Sequence, residues 1–575
     1  MEWVTKYTDD IIVKELQSSL PSTERIAKLL ALRGISDESE AQYFLEPKLA
    51  HLDDPLEIPN LKEAAKRIIS AIDAGESILL IGDYDVDGIT STVIVKKCLS
   101  ALGVDPFHVI PRRNVEGYGL TDAILDRGLS MGKIDLVIAL DCGTNSEKQM
   151  QDLATEGIDL IVVDHHQPKG EILDFPFLVN PQIHKENNKP WRYLCTAGLA
   201  FKLMHGIFKI LRDREAESKD SIDLKKLLPL VALGTIADMV PLKNENRIFA
   251  RFGLKHMAKT SSPGIKTLLK KAQVEELEIR SLESELVTFK LAPRINACGR
   301  LDRPELATSL LTENNLEQCE KLSKVIDHCN QQRKKLESNL WKESLEIAEK
   351  NFSKSSAAII YGHGESWHSG IVGIVAGKLV NQLGKPCLVL AKNEDEIYQG
   401  SGRGPKGVNL VEVLSKCKEY LLHWGGHPAA IGLSVEKSKI ASFTSAFLEN
   451  MDFTYKDQIK EEKLMIDLTL SIDELNNELM EEIGILHPFG QENPEPLFRM
   501  HKVMLSHKPK LVGSGEHFQF SISNGIHLIA GIAWRMSEKI PPINTEIDLA
   551  FNLRWNYWNE SRKIQIVLLD WKFSN

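Results

Sequence analysis

The sequence predicts an α/β protein that contains a parallel, doubly wound sheet, a long connecting helix, a second α/β module and a C-terminal β-barrel. Three observations predict this order. Short apolar runs that end on acidic residues alternate with helical stretches in the first half of the chain. A charged segment between Pro304 and Lys350 contains neither Pro nor Gly, which favours one long helix. Beyond residue 460, short apolar or alternating runs with turns between them are typical of a barrel.

The chain has 575 residues, enough for three or four domains. We divide it into an N-terminal helical segment, a first α/β domain, the connecting helix, a second α/β domain and the barrel. These five parts are predicted to span residues 1–50, 51–310, 311–352, 353–452 and 460–575.

Composition and charge narrow the functional classes. The chain is 43% hydrophobic, and no apolar run is long enough to span a bilayer. Its eight cysteines form no CxxC pair, which predicts free thiols and a cytoplasmic protein. The net charge of -10 argues against a surface coated in positive charge, although a local basic groove is sufficient to bind nucleic acid.

The first strand leads into the acidic stretch Gly82–Gly88. The apolar run Ile78–Ile81 reads as a buried strand, and Asp83, Asp85 and Asp87 follow it. Carboxylates this close repel one another when ionised, and a bound cation removes the repulsion. The alternatives are a solvated acidic turn or the start of a calcium loop, but the glutamate expected of a calcium loop does not follow.

Further acidic residues are predicted at the same sheet edge. One strand ends on Asp141, and the next ends on Asp164-His165-His166. Carboxyl ends of parallel strands meet at one edge, where ligands bind. Asp238 lies in an apolar run and reads either as a metal ligand or as a capping or hydrogen-bonded aspartate. Carboxylates with imidazole suit manganese or magnesium, and a shared carboxylate would allow two ions.

The second half carries glycine-rich turns and aromatic residues. Ser401-Gly402-Arg403-Gly404 and Gly425-Gly426-His427 permit close backbone approach to phosphate, although such turns are often only turns. We interpret Gln331–Lys335 as a solvated helix face rather than a DNA contact. Near the C-terminus, Trp555, Tyr557 and Trp558 lie close to Arg554 and Arg562, which predicts either base stacking or barrel core.

Taken together, these motifs resemble a known family. The stretches around Asp83–Gly88, Asp141–Gly143, Asp164–His166 and Asp238 have the order of the four motifs of the DHH phosphoesterase superfamily. The later motifs resemble its RecJ branch, the single-strand-specific 5′ to 3′ exonucleases. They are Arg294–Arg300, Trp367–Gly370, Ser401–Arg403 and Gly425–His427.

The resemblance implies roles for individual residues. Asp85, Asp87, Asp141, His165 and Asp238 would hold two Mn²⁺ or Mg²⁺ ions, with Asp141 between them, and His166 would face the scissile phosphate. Pyrophosphatase relatives carry a ligating histidine where this chain has Ile81, so Asp83 or a water would fill that position. The residues implied to bind the nucleic acid and its 5′ end are Arg300, Ser401, Gly402, Arg403, Gly426 and His427.

The resemblance also implies the activity and its setting. Residues 51–310 would be the DHH catalytic domain, 353–452 the DHHA1 domain and 460–575 an OB-like nucleic-acid-binding domain. The chain would degrade single-stranded DNA to mononucleotides in repair and recombination, as a monomer away from membranes. A single-strand-binding protein and a helicase would be its partners. One departure is Ala430-Ile431-Gly432, where the family pattern ends Ala-Ala-Gly.

Two other functions remain open at this point. The first is a DHH-family phosphodiesterase for short oligoribonucleotides or cyclic dinucleotides, against which the extra C-terminal domain argues. The second is a catalytically silent DNA-binding scaffold, against which the presence of every candidate ligand argues.

Overall fold

The structure is a computed structural model of the full chain. It describes residues 1–20, 22–113, 115–170, 175–184, 189–216, 221–274, 278, 283–455, 463–513, 515–523, 525–558 and 561–574. The side chain of Trp558 lies outside the described part. None of the described helices is both long and apolar enough to cross a bilayer.

The N-terminal segment contains one strand and three helices. They are β1 (Glu2–Thr5), α1 (Asp10–Ser19), α2 (Glu24–Ala31) and α3 (Glu38–Leu45). Each helix begins after a side chain that caps it, since Asp9, Thr23 and Asp37 accept hydrogen bonds from backbone N–H groups of the first turn. Their apolar faces are buried against the C-terminal sheet, so the two ends of the chain share one core.

The first α/β domain is built on a five-stranded parallel sheet with strand order β3-β2-β4-β5-β6. Its elements to the end of the sheet are α4 (Leu61–Ala74), β2 (Ile78–Gly82), α5 (Val86–Ala101), β3 (Phe107–Val109), α6 (Asp122–Leu129), β4 (Leu136–Leu140), α7 (Glu147–Thr155), β5 (Asp159–Val163) and β6 (Leu178–Val179). This confirms the predicted doubly wound parallel sheet.

Helices complete this domain. They are α8 (Thr196–Asp213), α9 (Leu228–Ala237), α10 (Asn244–Met257), α11 (Pro263–Lys271), α12 (Ala292–Arg300) and α13 (Glu305–Thr312), with a π-helical turn at Leu286–Leu291. The register aligns Gly82, Leu140 and Val163, so the residues that follow β2, β4 and β5 lie side by side. The predicted connecting helix is also present as α14 (Leu316–Phe352), which packs on both α/β domains.

The second α/β domain has a five-stranded mixed sheet with strand order β10-β11-β9-β8-β7. Its elements are β7 (Ala358–Gly362), α15 (Ser369–Leu383), β8 (Cys387–Lys392), β9 (Ile397–Arg403), α16 (Leu410–Lys416), β10 (Leu421–His427), β11 (Ala430–Glu436) and α17 (Ile440–Tyr455). Only β7 and β8 run parallel; the other pairs of neighbouring strands are antiparallel.

The C-terminal domain corrects the prediction of a barrel. Among the described residues seven of its eight strands form one sheet with order β13-β14-β18-β19-β17-β16-β15, while β12 pairs with β1. The elements are β12 (Lys463–Ile466), β13 (Leu468–Thr469), α18 (Asn477–Ile485), β14 (Phe498–Val503), β15 (Lys510–Val512), β16 (His517–Ser523), β17 (Leu528–Ala533), β18 (Ile547–Trp558) and β19 (Ser561–Phe573). An isolated bridge between Leu505 and Ile522 joins the segment after β14 to β16 without a continuous ladder, and α1, α2 and α18 cover the apolar face.

A buried arginine joins three parts of the chain. Arg247 on α10 donates hydrogen bonds to the carbonyl oxygens of Phe44, Leu486, His487 and Pro488. Its guanidinium carbon lies 3.6 Å from the centre of the Phe44 ring. The side chain is 1% exposed and forms no ion pair within the described part of the chain. These contacts fix the N-terminal helices and the C-terminal domain to the first α/β domain.

Replacing Arg247 with Met should destabilise the protein, because the stem is kept while the buried carbonyl oxygens lose their donor. We expect a loss of about 3 kcal/mol or more, measured as a lower urea midpoint. The exposed Arg212 on α8 provides the matched control. If Arg247→Met and Arg212→Met shifted the midpoint equally, Arg247 would not have this role.

Candidate active site

The carboxyl ends of three parallel strands bring the predicted acidic residues together. Asp83 follows β2, Asp141 follows β4 and Asp164 follows β5, and their backbone N–H groups continue the ladder by bonding to Leu140, Val163 and Val179. Asp238 joins them from the C-terminal end of α9. The described side chains supply three overlapping groups of metal-ligand atoms, each within 4.8 Å: Asp141, His165 and His166; Asp87, His165 and Asp238; Asp83, Asp85 and Asp141.

The acidic turn before α5 is shaped by capping and by one glycine. The Asp85 carboxylate accepts hydrogen bonds from the N–H groups of Asp87 and Gly88, at 2.9 and 3.1 Å, and so begins the helix. A Cβ atom at Gly88 would lie 2.5 Å from the backbone of Asp83. The turn therefore needs glycine at this position in order to fold back over Asp83.

The first turn of α8 holds the Asp87 carboxylate. The N–H groups of Thr196 and Ala197 donate to its two oxygens, at 2.7 and 2.8 Å. Gly234 on α9 makes room for this carboxylate, since a Cβ atom there would lie 2.7 Å from Asp87 Oδ1. The first turn of α8 therefore holds the Asp87 side chain in one fixed orientation.

Asp141 lies at the centre of the cluster. Its backbone has a φ of 66°, a conformation that Asp tolerates better than most residues, and this turns its carboxylate toward the other ligands. The Thr196 hydroxyl donates to Asp141 Oδ1 over 2.9 Å. Because Asp141 belongs to two of the three groups of ligand atoms, it is placed to be shared between two cations.

The two histidines have different partners. His165 Nε2 lies 3.4 Å from Asp141 Oδ1 and 3.5 Å from Asp238 Oδ2. His166 Nδ1 lies 2.7 Å from Asp164, while its Nε2 lies 2.9 Å from the hydroxyl oxygen of Tyr118. His165 thus faces the carboxylates of the cluster, and His166 forms a chain with one acid and one phenol.

Asp164 organises the turn that carries both histidines. Its carboxylate accepts hydrogen bonds from the backbone N–H groups of Thr144, His165 and His166. Burial opposes its charge, but the bond and charge of His166 hold the pKa of Asp164 below its ordinary value. Burial likewise opposes the charge of His166, yet Asp164 raises the pKa of His166 to about 9. The contact with Asp164 therefore favours the protonated form of His166.

The pKa values of three other carboxyl groups in the cluster are raised. Burial, together with Asp87 and Asp85, raises the pKa of Asp238 to about 9. Burial and neighbouring carboxylates also raise the pKa of Asp83 and of Asp141 well above the ordinary range. Asp83 Oδ1 is buried without a hydrogen-bond partner in the described part of the chain. These oxygen and imidazole donors fit divalent cations, which would replace the protons that the carboxylates otherwise retain.

Residues of both α/β domains form a cluster of positive charge near the acidic cluster. Arg300 at the end of α12 donates to the Gly370 carbonyl oxygen in the first turn of α15. Ser401 and Arg403 point at the same helix, since a Cβ atom at Gly373 would lie 3.3 Å from Ser401 Oγ and 3.2 Å from Arg403 Nη2. The structure thus brings together Arg300, Ser401, Gly402 and Arg403, as the sequence predicts.

Arg113, which follows β3, adds a further charge to this cluster. Burial and the charge of Arg113 lower the pKa of Arg300 to about 10, and they also lower the pKa of Arg403. None of these three arginines forms an ion pair with a described carboxylate. Unneutralised arginines at a helix N-terminus form an anion site, which we call the end pocket (Arg113, Arg300, Ser401, Arg403).

Gly426 and His427 lie apart from Ser401 and Arg403, on the exposed edge strand β10. One strand, β11, separates the two rows, because His427 pairs with Ala430, which pairs with Arg403. A Cβ atom at Gly425 would lie 4.0 Å from Lys169 Nζ, so this edge faces the loop after His166. Gly426 and His427 therefore lie on the opposite wall of the cleft from Ser401 and Arg403.

Ile431, which stands where the family pattern has Ala, has a role in core packing. Its side chain is buried in the core of the second α/β domain and lies beside Gly402, where a Cβ atom would meet Ile431 at 2.7 Å. Ser401 and Arg403 point toward the other face of the sheet. The bulkier residue fills a space that Gly402 leaves and does not enter the end pocket.

Three contributors were missed by the sequence analysis. Tyr118 and Arg113 lie in the segment after β3, where a strand end followed by Tyr118-Gly119 was a usable signal. Thr196 gave no local signal, because its role depends on α8 meeting a strand end more than fifty residues away. At the C-terminus, Trp555 packs at the margin of the core with Arg562 4.3 Å over its ring, and Arg554 pairs with Glu285 and Glu495.

Comparison with known families matches most of the chain. Residues 77–235 match the DHH family N-terminal domain, residues 355–452 match the DHHA1 domain, and residues 466–570 match the RecJ OB domain.

Individual relatives agree with these matches. The single-stranded-DNA-specific exonuclease RecJ of Bacillus subtilis is 33% identical, and the match covers 99% of this chain and 70% of that protein. The RecJ of Salmonella typhimurium is 32% identical, with 97% and 96% covered. The crystal structure of RecJ in complex with Mn²⁺ from Thermus thermophilus superposes with a TM-score of 0.82 at 25% identity, over 100% of this chain and 80% of that one.

Replacing Thr196 with Val should weaken metal binding, because Asp141 loses the hydroxyl that orients it. We expect Mn²⁺ affinity to fall about 10- to 100-fold, measured by calorimetric titration, and Thr196→Ser to restore it. Thr267, a buried threonine whose hydroxyl bonds only within its own helix, is the matched control. An unchanged Mn²⁺ affinity in Thr196→Val would contradict this role.

Proposed function

Because the chain belongs to the RecJ family of single-stranded-DNA-specific exonucleases, we propose that it removes nucleotides one at a time from the 5′ end of single-stranded DNA. It is a metal-dependent exonuclease with Mn²⁺ or Mg²⁺ as its cofactor. The observation that carries the proposed polarity is the end pocket, which faces the acidic cluster across one cleft.

The acidic cluster supplies the metal ligands in this proposal. Asp85, Asp87, Asp141, His165 and Asp238 would hold two cations, with Asp141 shared and Asp83 as a further ligand through its unpartnered oxygen. Bound divalent cations activate water and stabilise charge on a phosphoester that is being hydrolysed. The α8 N-terminus and Thr196 keep Asp87 and Asp141 in place whether or not substrate is present.

His166 would contact the scissile phosphate. Asp164 bonds to its Nδ1, so a proton on Nε2 is directed toward the Tyr118 hydroxyl. A phosphate oxygen that approached the cluster could take the place of this hydroxyl as the acceptor. His166 would then stabilise the negative charge that develops on the phosphate during hydrolysis.

The end pocket would bind the 5′ phosphate. Arg300 and Arg403 offer guanidinium donors, and Ser401 offers a hydroxyl group. Gly402 between them has no side chain. Gly426 and His427 would contact the strand from the opposite wall. Because the pocket accepts a terminal phosphate, cutting would begin at the 5′ end and release mononucleotides.

We also propose a cellular setting for this activity. The eight cysteines are free thiols, as expected in a reducing cytoplasm, where DNA repair and recombination take place. Single-strand-binding protein and a helicase would supply its substrate, and the chain would act as a monomer. No particular contact favours either alternative function, the phosphodiesterase for short oligonucleotides or the catalytically silent DNA-binding scaffold.

The proposal predicts how an end-labelled strand is digested. A 5′-phosphorylated single strand should release its 5′ label first, as mononucleotide, with Mn²⁺ or Mg²⁺, while duplex DNA resists. Asp141→Asn keeps the left-handed backbone conformation but removes a ligand, and should lower the rate by at least about 10²-fold. Asp135→Asn, at the other end of the same strand, is the control. Initial release of the 3′ label would refute the polarity.

The end pocket makes a separate prediction. Arg403→Ala should lower kcat/KM for a 5′-phosphorylated strand about 10- to 100-fold, because a charge-assisted hydrogen bond is lost, and should change kcat/KM little for a 5′-hydroxyl strand. The exposed Lys406 in the following turn is the matched control. An equal loss on both strands would mean that Arg403 does not read the terminal phosphate.

A further inference from the structure

The acidic turn contains one aromatic side chain, that of Tyr84, which lies between Asp83 and Asp85 in the sequence. Gly299 packs against this side chain, since a Cβ atom at Gly299 would lie 3.1 Å from Tyr84 Cβ and 3.2 Å from Tyr84 Cδ2. Gly299 directly precedes Arg300 of the end pocket. The Tyr84 side chain therefore extends from the acidic cluster toward the end pocket.

The Tyr84 ring contacts two side chains that follow β3 in the sequence. The guanidinium carbon of Arg113 lies 5.6 Å from the centre of the ring, within the range of a cation–π interaction. The ring of Tyr118 meets it edge to face, with 6.2 Å between the ring centres and 75° between the ring planes. Tyr84 thus contacts one residue of the end pocket and one residue that bonds to His166.

Arg113 needs a contact of this kind to stay in the end pocket. Among the residues that the structure describes, its guanidinium group forms no ion pair, and the Tyr84 ring is the one aromatic face that it covers. Arg300 and Arg403 carry the same charge and repel it. A cation that is repelled by its neighbours and lacks a carboxylate partner moves away unless another contact holds it, and the Tyr84 ring provides that contact.

The backbone next to Arg113 is fixed independently of the Tyr84 ring. The Glu116 carboxylate accepts a hydrogen bond from the backbone N–H of Arg112 over 2.7 Å. The same carboxylate accepts two further hydrogen bonds from the Arg127 guanidinium group on α6, over 2.6 and 2.9 Å. Loss of the Tyr84 ring should therefore leave this backbone in place and free only the Arg113 side chain.

We propose that Tyr84 is a positioning residue for recognition of the 5′ phosphate, because its ring holds Arg113 in the end pocket. The ring belongs to the same turn as the candidate metal ligands Asp85 and Asp87, so it places the Arg113 charge relative to the acidic cluster. The contacts with Arg113 and Tyr118 are both made by the ring, so we expect phenylalanine to replace tyrosine here. This inference rests on the proposed function, since it requires that the end pocket binds the 5′ phosphate.

The test compares kcat/KM of the full chain for 5′-phosphorylated and 5′-hydroxyl single strands at saturating Mn²⁺. Tyr84→Leu should lower the preference for the 5′-phosphorylated strand about 2- to 30-fold, the range for loss of one cation–π contact. Tyr84→Phe should keep the preference, because the ring is retained. The matched control is Tyr361→Leu, since Tyr361 belongs to a different edge-to-face pair, with Tyr398 in the second α/β domain.

A double-mutant cycle with Arg113→Ala shows whether Tyr84 acts through Arg113. In the Arg113→Ala background, Tyr84→Leu should cause no further loss of the preference for the 5′ phosphate. A further loss there would overturn the proposal, as would an equal fall in kcat/KM on both strands when Tyr84→Leu is tested alone. Mn²⁺ affinity, measured by calorimetric titration, should be the same in Tyr84→Leu and the unmodified chain. A weaker affinity would mean that the ring shapes the metal-binding turn instead.

Failure of the proposed function gives a different result from failure of this inference. If the proposed function is wrong, the unmodified chain releases the 3′ label first or shows no preference for a 5′ phosphate. If only this inference is wrong, the unmodified chain prefers the 5′-phosphorylated strand and Tyr84→Leu keeps that preference.

Discussion

The repulsion among buried carboxylates at one edge of the parallel sheet is the constraint on which the site depends. Asp83, Asp141 and Asp238 are packed so closely that burial and mutual charge raise the pKa of each. A fold that maximised stability alone would separate such groups. Here the cost is offset by donors placed around them, with the α8 N-terminus on Asp87 and Thr196 on Asp141. The same arrangement prepares the cluster for divalent cations.

The opposite charge is placed across the cleft rather than within the cluster. Arg113, Arg300 and Arg403 would neutralise the carboxylates if they touched them, and no cation could then compete for the same oxygens. Two of them have other partners: Arg300 donates to the Gly370 carbonyl oxygen, and Arg403 donates to the Gly402 carbonyl oxygen. The acidic cluster therefore keeps unneutralised negative charge, and the end pocket keeps unneutralised positive charge. This suits a substrate whose phosphate binds the end pocket while cations bind the acidic cluster.

The sequence was sufficient where the chemistry follows from local order. A strand, a turn and a helix place Asp85 at the cap of α5, and the repeat of that pattern places Asp141 and His165 at the same edge. It was insufficient where the outcome depends on distant packing. Short C-terminal strands were predicted, yet the helices α1 and α2 that cover their sheet come from the other end of the chain. Thr196 was missed for the same reason.

The domain contacts explain how separate charge clusters can act on one strand. Gly299 lies against Tyr84 with no room for a side chain, and the next residue, Arg300, reaches into the second α/β domain. This close contact places the end pocket beside the acidic cluster. Arg247 fixes the C-terminal domain to the same body through four carbonyl oxygens. In the proposed function, the spacing between the end pocket and the acidic cluster would place each cut one nucleotide from the 5′ end.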